Sequence, residues 1–370
     1  MKRRQLVRQV AIGAASASTL VACSRNNQLL NSTAQANSGL RVEWRMATSW
    51  TESLDVVFGT SKLLCERVSE LTNGNFVITP YPAGGIAPPL EILDTVSAAS
   101  AECGHTAGYY YTAKNPALAF ATSVPFGLNP SQHFAWLYGG NGMEALRIIY
   151  ADFNVINFPG GSTGNQMGGW FKKKLQSVDD IKGLKMRMPG LGGQVLKQLG
   201  AEIQNLPPAE IGPALEQGKI DAAEWVGPYE DEKLGLNKFA QFYCYPGWHE
   251  PGTTYEFIVN LPAWNKLPKD YQTALSVASF EAHTKMIAQY DALNREALQR
   301  LEKSGTQLVI FSPEILKAAE KTAFSLYEEK ASKDATFREL YTYWIAFRKA
   351  IYEWNHINEA SFASIDFTRS

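Results

Sequence analysis

The chain has 370 residues, of which 45% are hydrophobic and 19% are charged, and these proportions exclude an intrinsically disordered protein. Its 35 basic and 36 acidic residues give a formal net charge of −1. Because the basic excess of a nucleic-acid-binding protein is missing, we predict no nucleic-acid partner.

The start of the chain has the pattern of an export signal. Basic residues including Arg3 and Arg4 precede an apolar stretch over residues 10–22, which is too short to span a membrane. Leu20-Val21-Ala22-Cys23 has the form of a lipobox, so we predict that residues 1–22 are a signal peptide and that Cys23 is lipidated. An ordinary signal peptide with an incidental cysteine is the alternative. Either pattern predicts a periplasmic protein, anchored through Cys23 in the first case.

Residues 23–39 read as a flexible stalk, and beyond them predicted strands and helices alternate, which indicates an α/β fold. The predicted strands are residues 41–48, 75–80, 102–107, 154–158, 165–171, 184–188, 202–205, 221–226, 239–245, 253–260 and 306–311. The predicted helices are residues 54–71, 88–98, two within 132–151, 177–182, 191–199, 209–217, 268–303 and about twenty residues after Ser312. Two lobes are expected, because roughly 330 ordered residues exceed what one hydrophobic core usually supports.

The C-terminal segment carries an apolar stripe at alternating spacings of three and four. Its members are Phe337, Leu340, Trp344, Phe347, Ile351 and Trp354. A helix with this stripe can dock on the lobes of its own chain or on a second subunit, since both arrangements bury one face. Both alternatives stay open at this point.

Residues 160–164 are dense in glycine and are predicted to cross between the lobes, but they also match G-x-S-x-G, the nucleophile elbow of hydrolases. The elbow needs a helix after the serine, whereas residues 166–171 favour a strand. We therefore predict that the protein is not an enzyme. A periplasmic serine esterase that uses Ser162, with an aspartate such as Asp231 and with His283, is the alternative of another class.

Arg187 lies in an apolar predicted strand between Met186 and Met188. Side chains alternate between the faces of a strand, and an arginine that points into the protein needs an anionic partner. Its planar guanidinium matches a carboxylate. We favour the carboxylate of a bound ligand, with an internal salt bridge or an exposed strand edge as alternatives.

Oxygen-bearing side chains lie at predicted strand ends and turns. Glu224 precedes Trp225 at the end of a strand, and Glu250 follows Trp248 in a turn. Ligands of open α/β sheets gather at the carboxyl ends of strands. Two carboxylates, the side-chain oxygen of Gln166 and a turn carbonyl would form an all-oxygen cage that suits Na⁺ or Ca²⁺ and not zinc. Solvated turn positions are the alternative for both glutamates.

Three tyrosines at residues 109–111 follow the predicted strand at 102–107. The hydroxyls of Tyr109 and Tyr110 are candidates to reach a ligand from the opposite lobe. Aromatic filling of the core is the alternative for each of them.

Together these segments resemble the extracytoplasmic solute receptors of TRAP (tripartite ATP-independent periplasmic) transporters, and within them the branch that binds monocarboxylate 2-oxo acids (α-keto acids). The resemblance rests on Gln166-Met167-Gly168-Gly169-Trp170-Phe171, on Met186-Arg187-Met188-Pro189-Gly190 and on Ala223-Glu224-Trp225-Val226-Gly227-Pro228. It covers nearly the whole chain beyond the stalk.

The resemblance implies an α/β fold of two lobes joined by hinge strands, with a long lobe-spanning helix and an extended C-terminal helix. We assign lobe I to residues 40–162 plus 253–290, lobe II to 163–252 plus 291–332, and the C-terminal helix to 333–368. Some members of this branch dimerise by exchanging a C-terminal helix, so a homodimer through this helix is expected.

The resemblance also assigns roles to the cation-binding residues. Gln166, Glu224 and Glu250 would coordinate the cation through side-chain oxygens, and Trp225 would do so through its backbone carbonyl. The closest-looking branch favours Na⁺. Two glutamates, one arginine and a monocarboxylate carry a summed charge of −2, which Ca²⁺ would cancel, so Ca²⁺ is the alternative.

By the same resemblance, Arg187 would hold the ligand carboxylate, and Tyr110, or its neighbour Tyr109, would donate a hydrogen bond. Met167 stands where some members carry an asparagine, so a contact that reads a hydroxyl is missing. We therefore expect capture of a 2-oxo acid such as pyruvate and its delivery to a TRAP membrane permease. Receptors for lactate or another 2-hydroxy acid, or for a sugar acid or dicarboxylate, are the alternatives.

Overall fold

The computed structural model describes residues 39–365. The predicted signal peptide, Cys23 and the stalk up to residue 38 lie outside these residues. Residues 40–365 form one compact unit that contains two β-sheets. Within the described part of the chain, every helix is too short or too polar to cross a membrane.

The helices and strands alternate along the chain, and the predicted α/β class is confirmed. The strands are β1 (Val42–Thr48), β2 (Phe76–Tyr81), β3 (Cys103–Thr106), β4 (Val155–Ser162), β5 (Gly169–Phe171), β6 (Lys185–Arg187), β7 (Glu202–Gln204), β8 (Ala222–Ala223), β9 (Phe242–Tyr245), β10 (Thr254–Asn260) and β11 (Gln307–Ile310). The α-helices are α1 (Asp55–Leu71), α2 (Ile92–Ser97), α3 (Ala119–Thr122), α4 (Pro130–Gly139), α5 (Gly142–Ala151), α6 (Gly190–Gln198), α7 (Pro208–Glu216), α8 (Pro228–Lys233), α9 (Leu261–Lys266), α10 (Lys269–Lys303), α11 (Pro313–Lys333), α12 (Ala335–Ile357) and α13 (Glu359–Ala363). Short 3₁₀ helices span Gly108–Tyr111, Pro116–Leu118, Val178–Ile181 and Leu236–Lys238.

The first sheet has five strands in the order β2-β1-β3-β10-β4, and the second has six in the order β11-β9-β5-β8-β6-β7. In the first sheet, β10 runs antiparallel to both β3 and β4. In the second, β5 runs antiparallel to β8 and β9. The chain passes from the first sheet to the second after β4 and returns to the first before β10. The exact residue boundaries of the two lobes stay a prediction.

The first three of the five residues in the glycine-dense segment at 160–164 belong to a strand, because β4 continues to Ser162, which pairs with Thr254. The glycines are needed there for close packing, since a Cβ at Gly161 would lie 2.4 Å from the Met286 sulfur of α10. Ser162 is a buried strand residue with no helix directly after it. The strand–turn–helix geometry of a nucleophile elbow is therefore absent at this serine.

The long helix α10 contacts elements on both sheets. Its first half packs on α1 and β4, and its second half packs on α8. There Asn294 accepts a hydrogen bond of 3.0 Å from the Tyr229 backbone N–H, and Arg300 pairs with Glu232 at 2.6 Å. This helix has the lobe-spanning position expected of it.

Several predicted boundaries are wrong. The helix predicted at 88–98 begins at Ile92, because residues 88–91 form a turn that contains two prolines. The strands predicted at 165–171 and 221–226 keep only Gly169–Phe171 and Ala222–Ala223, since their remaining residues turn toward the site described below. The helices α3, α8 and α9 were not predicted.

The C-terminal stripe divides into two parts. Phe337, Leu340 and Trp344 are buried against the body of the chain. Trp354 is 57% exposed and Ile357, one turn further, is 69% exposed. Phe347 and Ile351 are partly buried against the core, so α12 docks on its own chain over most of its length and presents apolar side chains on the surface in its last turn.

A buried polar cluster links α5, β4 and β10. The carboxylate of Glu256 accepts hydrogen bonds from the Tyr150 hydroxyl and, at 2.8 Å, from the Asn157 amide. A Cβ at Gly108 would approach Glu256 and Tyr150, so the cluster packs against the turn that carries the tyrosine run. Burial raises the pKa of Glu256 to about 7, although both donors act to lower it.

This raised pKa predicts a pH-dependent stability. Because the folded-state pKa of Glu256 lies above the ordinary value of 4.5, its contribution to the free energy of unfolding is full below about pH 4.5 and is lost as pH rises through about 7. We expect Glu256→Gln to flatten this dependence by at most about 1.4 kcal/mol per pH unit, measured by urea unfolding at several pH values. The exposed Glu43→Gln is the control, and equal slopes for wild type and Glu256→Gln would contradict the assignment.

Candidate functional site

The carboxyl ends of β6 and β8 meet at one edge of the second sheet. The strands are parallel, and Arg187, the last residue of β6, pairs with Ala223 of β8. Glu224 follows β8 directly, and its backbone N–H donates to the Arg187 carbonyl oxygen at 3.3 Å. A guanidinium and a carboxylate therefore lie side by side where ligands of α/β sheets gather.

Arg187 is fully buried. Its Nη1 bonds the Glu224 carboxylate and, at 2.8 Å, the Glu224 carbonyl oxygen, while its Nε donates to the Leu206 carbonyl at 3.1 Å. The guanidinium carbon lies 5.4 Å from the centre of the Trp225 ring. The internal salt bridge considered as an alternative is thus present. Nη2 has no hydrogen-bond partner among the described residues and stays free for another acceptor.

A second buried carboxylate, Glu250, stands close to the first. Burial and the neighbouring Glu224 raise the pKa of Glu250 well above its ordinary value, although a hydrogen bond from Thr253 lowers it. Burial would lower the pKa of Arg187, but Glu224 and the tyrosine hydroxyls raise it above its ordinary value. Two buried carboxylates face one guanidinium, so the cluster has a deficit of positive charge.

A relay of hydrogen bonds fixes the amide of Gln166. The Thr253 hydroxyl donates to the Glu250 carboxylate at 2.6 Å and therefore accepts from Gln166 Nε2, which lies 2.8 Å away. Thr163 accepts a second bond from the same nitrogen at 3.2 Å. The Gln166 side-chain oxygen consequently faces away from both threonines. It is buried and has no partner among the described residues.

His249 joins this cluster and was not predicted from the sequence. Single ligand atoms of Glu224, His249 and Glu250 lie within 4.8 Å of one another. The His249 Nε2 atom is 3.4 Å from the Glu224 carboxylate, where an N–H would donate. The one available signal was its position next to Glu250 in the turn after β9.

Aromatic side chains form the opposite wall. The Trp50 ring centre lies 4.5 Å from that of Tyr255 and 6.4 Å from those of Tyr110 and Trp225. The Trp50 indole N–H donates to His105 at 2.9 Å, so Trp50 offers the others an apolar face. By contrast, the hydroxyls of Tyr110 and Tyr255 and the indole nitrogen of Trp225 are buried without a partner in the described structure. Unpaired buried donors of this kind are costly unless a ligand satisfies them.

Both candidate tyrosines lie near the charged groups. Burial raises the pKa of Tyr110 to about 12 while Arg187 lowers it, and burial with Glu250 raises the pKa of Tyr109 well above its ordinary value. Tyr109 packs on Gly190, the first residue of α6, where a Cβ would lie 3.0 Å from the Tyr109 Cβ. The turn that carries the tyrosines thereby contacts the helix that follows Arg187.

Three residues of the Gln166–Phe171 segment make contacts with groups other than the charged side chains. Trp170 stacks on Tyr243 with ring centres 4.0 Å apart, and its indole N–H donates to Asp231. Phe171 packs edge-on against Phe311. Met167 is half-buried against the hydrophobic core, and its backbone N–H donates to the Val226 carbonyl at 3.2 Å.

The groups considered for an esterase are engaged elsewhere. Asp231 accepts hydrogen bonds from Trp170 and Tyr243 and holds the backbone N–H of Val226. His283 stacks on Phe134 at 4.6 Å. None of the recorded contacts among the described residues joins Ser162, Asp231 and His283 into a triad.

Comparison with known proteins places the chain in a family. The family "Bacterial extracellular solute-binding protein, family 7" matches residues 46–334. The chain is 57% identical over 363 residues, 98% of each chain, to a monocarboxylate 2-oxoacid-binding periplasmic protein of Nostoc sp..

Two solved structures share the fold over their whole length. A TRAP transporter solute-binding protein of Bordetella bronchiseptica, 42% identical, has a TM-score of 0.87 over 88% of this chain and 96% of its own. It is a mixed-occupancy dimer with copurified calcium and picolinate in one active site and the other site apo. A TRAP periplasmic solute-binding protein of Pseudoalteromonas atlantica, 36% identical, has a TM-score of 0.85 over 88% of this chain and 100% of its own, with bound sodium and pyruvate.

Proposed function

The chain belongs to family 7 of the bacterial extracellular solute-binding proteins and to the TRAP solute-binding proteins within it, and we propose that it captures a small monocarboxylic 2-oxo acid, such as pyruvate, together with a cation. The family consists of receptors and not of enzymes. One observation carries the proposal. A hydrogen-bond donor, Arg187 Nη2, and an acceptor, the Gln166 side-chain oxygen, are both buried in this cluster without partners among the described residues.

Arg187 is the proposed holder of the ligand carboxylate. Its Nη1 and Nε atoms are engaged by Glu224 and Leu206, which fixes the plane of the guanidinium and leaves Nη2 for the ligand. A preorganised guanidinium loses little conformational freedom when the ligand arrives. Tyr110, whose hydroxyl is also unpaired, would donate to the same ligand from the opposite wall.

The donor set fits a hard cation. Glu224 and Glu250 would supply carboxylate oxygens and Gln166 its unpaired amide oxygen, with His249 beside them. By the resemblance, Trp225 would supply its backbone carbonyl. Oxygen ligands of this kind suit Na⁺ and Ca²⁺. When bound, the cation would offset the deficit of positive charge between the two carboxylates. The Bordetella protein carries calcium and the Pseudoalteromonas protein sodium, so we keep Na⁺ first and Ca²⁺ as the alternative.

The ligands of the similar proteins share one chemical feature. Pyruvate and picolinate each carry a carboxylate with a lone-pair donor on the adjacent carbon or ring position. Such a pair can chelate one cation while the second carboxylate oxygen bonds a guanidinium. A 2-hydroxy acid such as lactate has similar geometry but needs an acceptor for its hydroxyl proton. Met167, beside Gln166, has no side-chain oxygen or nitrogen to serve as one, which favours the 2-oxo acid.

The loaded receptor would then deliver its ligand to a TRAP membrane permease. The family is extracytoplasmic, and lipid attachment through Cys23 rests on the pattern of residues 1–23. Attachment at the end of a stalk would keep the receptor close to the membrane that holds the permease.

Calorimetric titration of dialysed protein with pyruvate tests the proposed function. We expect binding that requires added Na⁺ or Ca²⁺, because the ligand carboxylate adds negative charge to a cluster that already has an excess of it. Titration with lactate and with 2-oxobutyrate under the same ions distinguishes the ligand class. The absence of heat with all three acids under both ions would refute the proposal, and ester hydrolysis lost in Ser162→Ala would favour an esterase.

Removal of the Arg187 guanidinium should weaken ligand binding strongly. In Arg187→Ala the ligand carboxylate is left buried without a partner, at a cost of about 2–5 kcal/mol in pyruvate affinity. Arg187→Lys should keep part of the affinity, since an ammonium retains the charge but cannot bond Glu224, Leu206 and the ligand in one fixed plane. Circular dichroism and thermal unfolding establish that each variant is folded. Unchanged pyruvate affinity in folded Arg187→Ala would disprove the assignment.

We also propose a homodimer through the second half of α12, where Trp354 and Ile357 are exposed. The Bordetella protein is itself a dimer, and the contact through α12 is the proposal made here for this chain. Replacing both residues with glutamate should raise the dimer dissociation constant at least about tenfold, because a buried apolar contact is lost. Sedimentation equilibrium measures it, with Lys349→Glu on the same helix as control. An unchanged constant in the double variant would exclude this interface.

A further inference from the structure

The turn at residues 124–127 accepts hydrogen bonds from side chains of the C-terminal helices α11 and α12. Three consecutive backbone carbonyls, those of Pro125, Phe126 and Gly127, each accept a hydrogen bond from a side chain of α11 or α12. The donors are the Tyr327 hydroxyl at 2.8 Å, Arg348 Nε at 2.7 Å and the Tyr352 hydroxyl, in that order. These three hydrogen bonds fix the orientation of three successive peptide groups in the turn.

The turn has a strained backbone at its centre. Phe126 has a φ of 52°, in the left-handed region that bulky residues rarely adopt. Such a conformation persists where surrounding contacts over-determine it, and it occurs often where a structure needs one particular geometry. The carbonyl bonds from α11 and α12 supply part of that constraint, so the strained geometry depends on the C-terminal helices.

The other side of Phe126 contacts the turn that carries Glu250. The Phe126 backbone N–H donates to the Trp248 carbonyl at 2.7 Å, and the two rings stack with centres 5.4 Å apart. Within that turn, the Glu250 N–H bonds the Gly247 carbonyl at 3.2 Å. Gly247 lies against the backbone of Gln166, because a Cβ there would be 2.4 Å from the Gln166 carbonyl oxygen. Phe126 thus supports the turn that joins both proposed cation ligands.

The guanidinium of Arg348 is fixed by two aromatic rings. Its guanidinium lies over the Tyr352 ring at 4.1 Å and the Phe324 ring at 5.1 Å. An arginine stacked on two rings loses little freedom when it donates to a carbonyl. Arg348 and Tyr352 are both half-buried, at a groove that they line with Gln166 and Trp248, so changes there remove few core contacts.

We propose that Arg348 and Tyr352 are positioning residues for the cation-binding turn, acting through the left-handed Phe126. The proposal rests on the proposed function for its assignment of Glu250 and Gln166 to the cation. Loss of the Arg348 bond releases the Phe126 carbonyl, relaxes the strained residue and removes the donor that holds the Trp248 carbonyl. The turn that carries Glu250 then loses one of its supports, and the Thr253 hydroxyl remains as the direct contact of the Glu250 carboxylate. The position of the C-terminal helix thereby sets the cation affinity of the site.

The test compares Arg348→Met with Arg338→Met. Arg338 is on the same helix and also donates to a backbone carbonyl, that of Ala331 at 2.9 Å, away from the site. Pyruvate titrations over a range of Na⁺ and Ca²⁺ concentrations measure the cation concentration for half-maximal binding. We expect this concentration to rise about tenfold in Arg348→Met, the effect of losing one charge-assisted hydrogen bond. Arg348→Lys should recover part of the loss, Tyr352→Phe should show a smaller one, and Arg338→Met should lower thermal stability alone.

Hydrogen–deuterium exchange of the ligand-free proteins provides a readout that needs no ligand. Exchange of the Phe126 and Glu250 amides should be faster in Arg348→Met than in wild type and unchanged in Arg338→Met. Wild-type cation dependence and wild-type exchange at these amides in Arg348→Met would overturn the proposal. If wild type fails to bind pyruvate, the proposed function is refuted, and the exchange result still decides whether Arg348 positions the turn.

Discussion

The structure of this site depends on the burial of one guanidinium. Arg187 is fully enclosed, and a charge in that position is tolerated only with anionic partners and hydrogen bonds close by. Glu224 supplies the partner, and the carbonyls of Glu224 and Leu206 supply the hydrogen bonds. The second buried carboxylate, that of Glu250, adds negative charge that the single guanidinium cannot neutralise. A further cation would therefore stabilise the site, and in the proposed function that cation would allow an anionic ligand to enter.

The two sheets supply these groups through different means. Arg187 and Glu224 come from adjacent parallel strands, so the register of β6 and β8 alone brings them together. Gln166 and Thr253 lie on the two connections that run between the sheets, after β4 and before β10. The hydrogen bond between Gln166 and Thr253 joins the two connections directly. Because these connections carry part of the site, movement of one sheet relative to the other would change the proposed cation site.

Part of this arrangement could be predicted from the sequence because it depends on local pattern. Arg187 stood out as a charge in an apolar strand, and Glu224 as a carboxylate at a strand end. His249 and Thr253 could not be predicted in the same way, because their partners are 25 residues from His249 and 87 from Thr253 along the chain. The strand lengths at 165–171 and 221–226 were overestimated for a related reason. Residues that leave a strand to line a buried site keep the apolar composition of a strand.

The turn at Phe126 shows most clearly what a sequence pattern omits. A phenylalanine before glycine carries no local signal for a left-handed backbone, since glycine and asparagine are the residues that usually adopt it. Its conformation is imposed by donors about 200 residues later in the chain, on helices that would otherwise be read as packing elements. The same helices carry the exposed residues of the proposed dimer contact. A change in how α12 packs, whether from a partner subunit or from a substitution, would reach the proposed cation ligands through three backbone carbonyls and one aromatic stack.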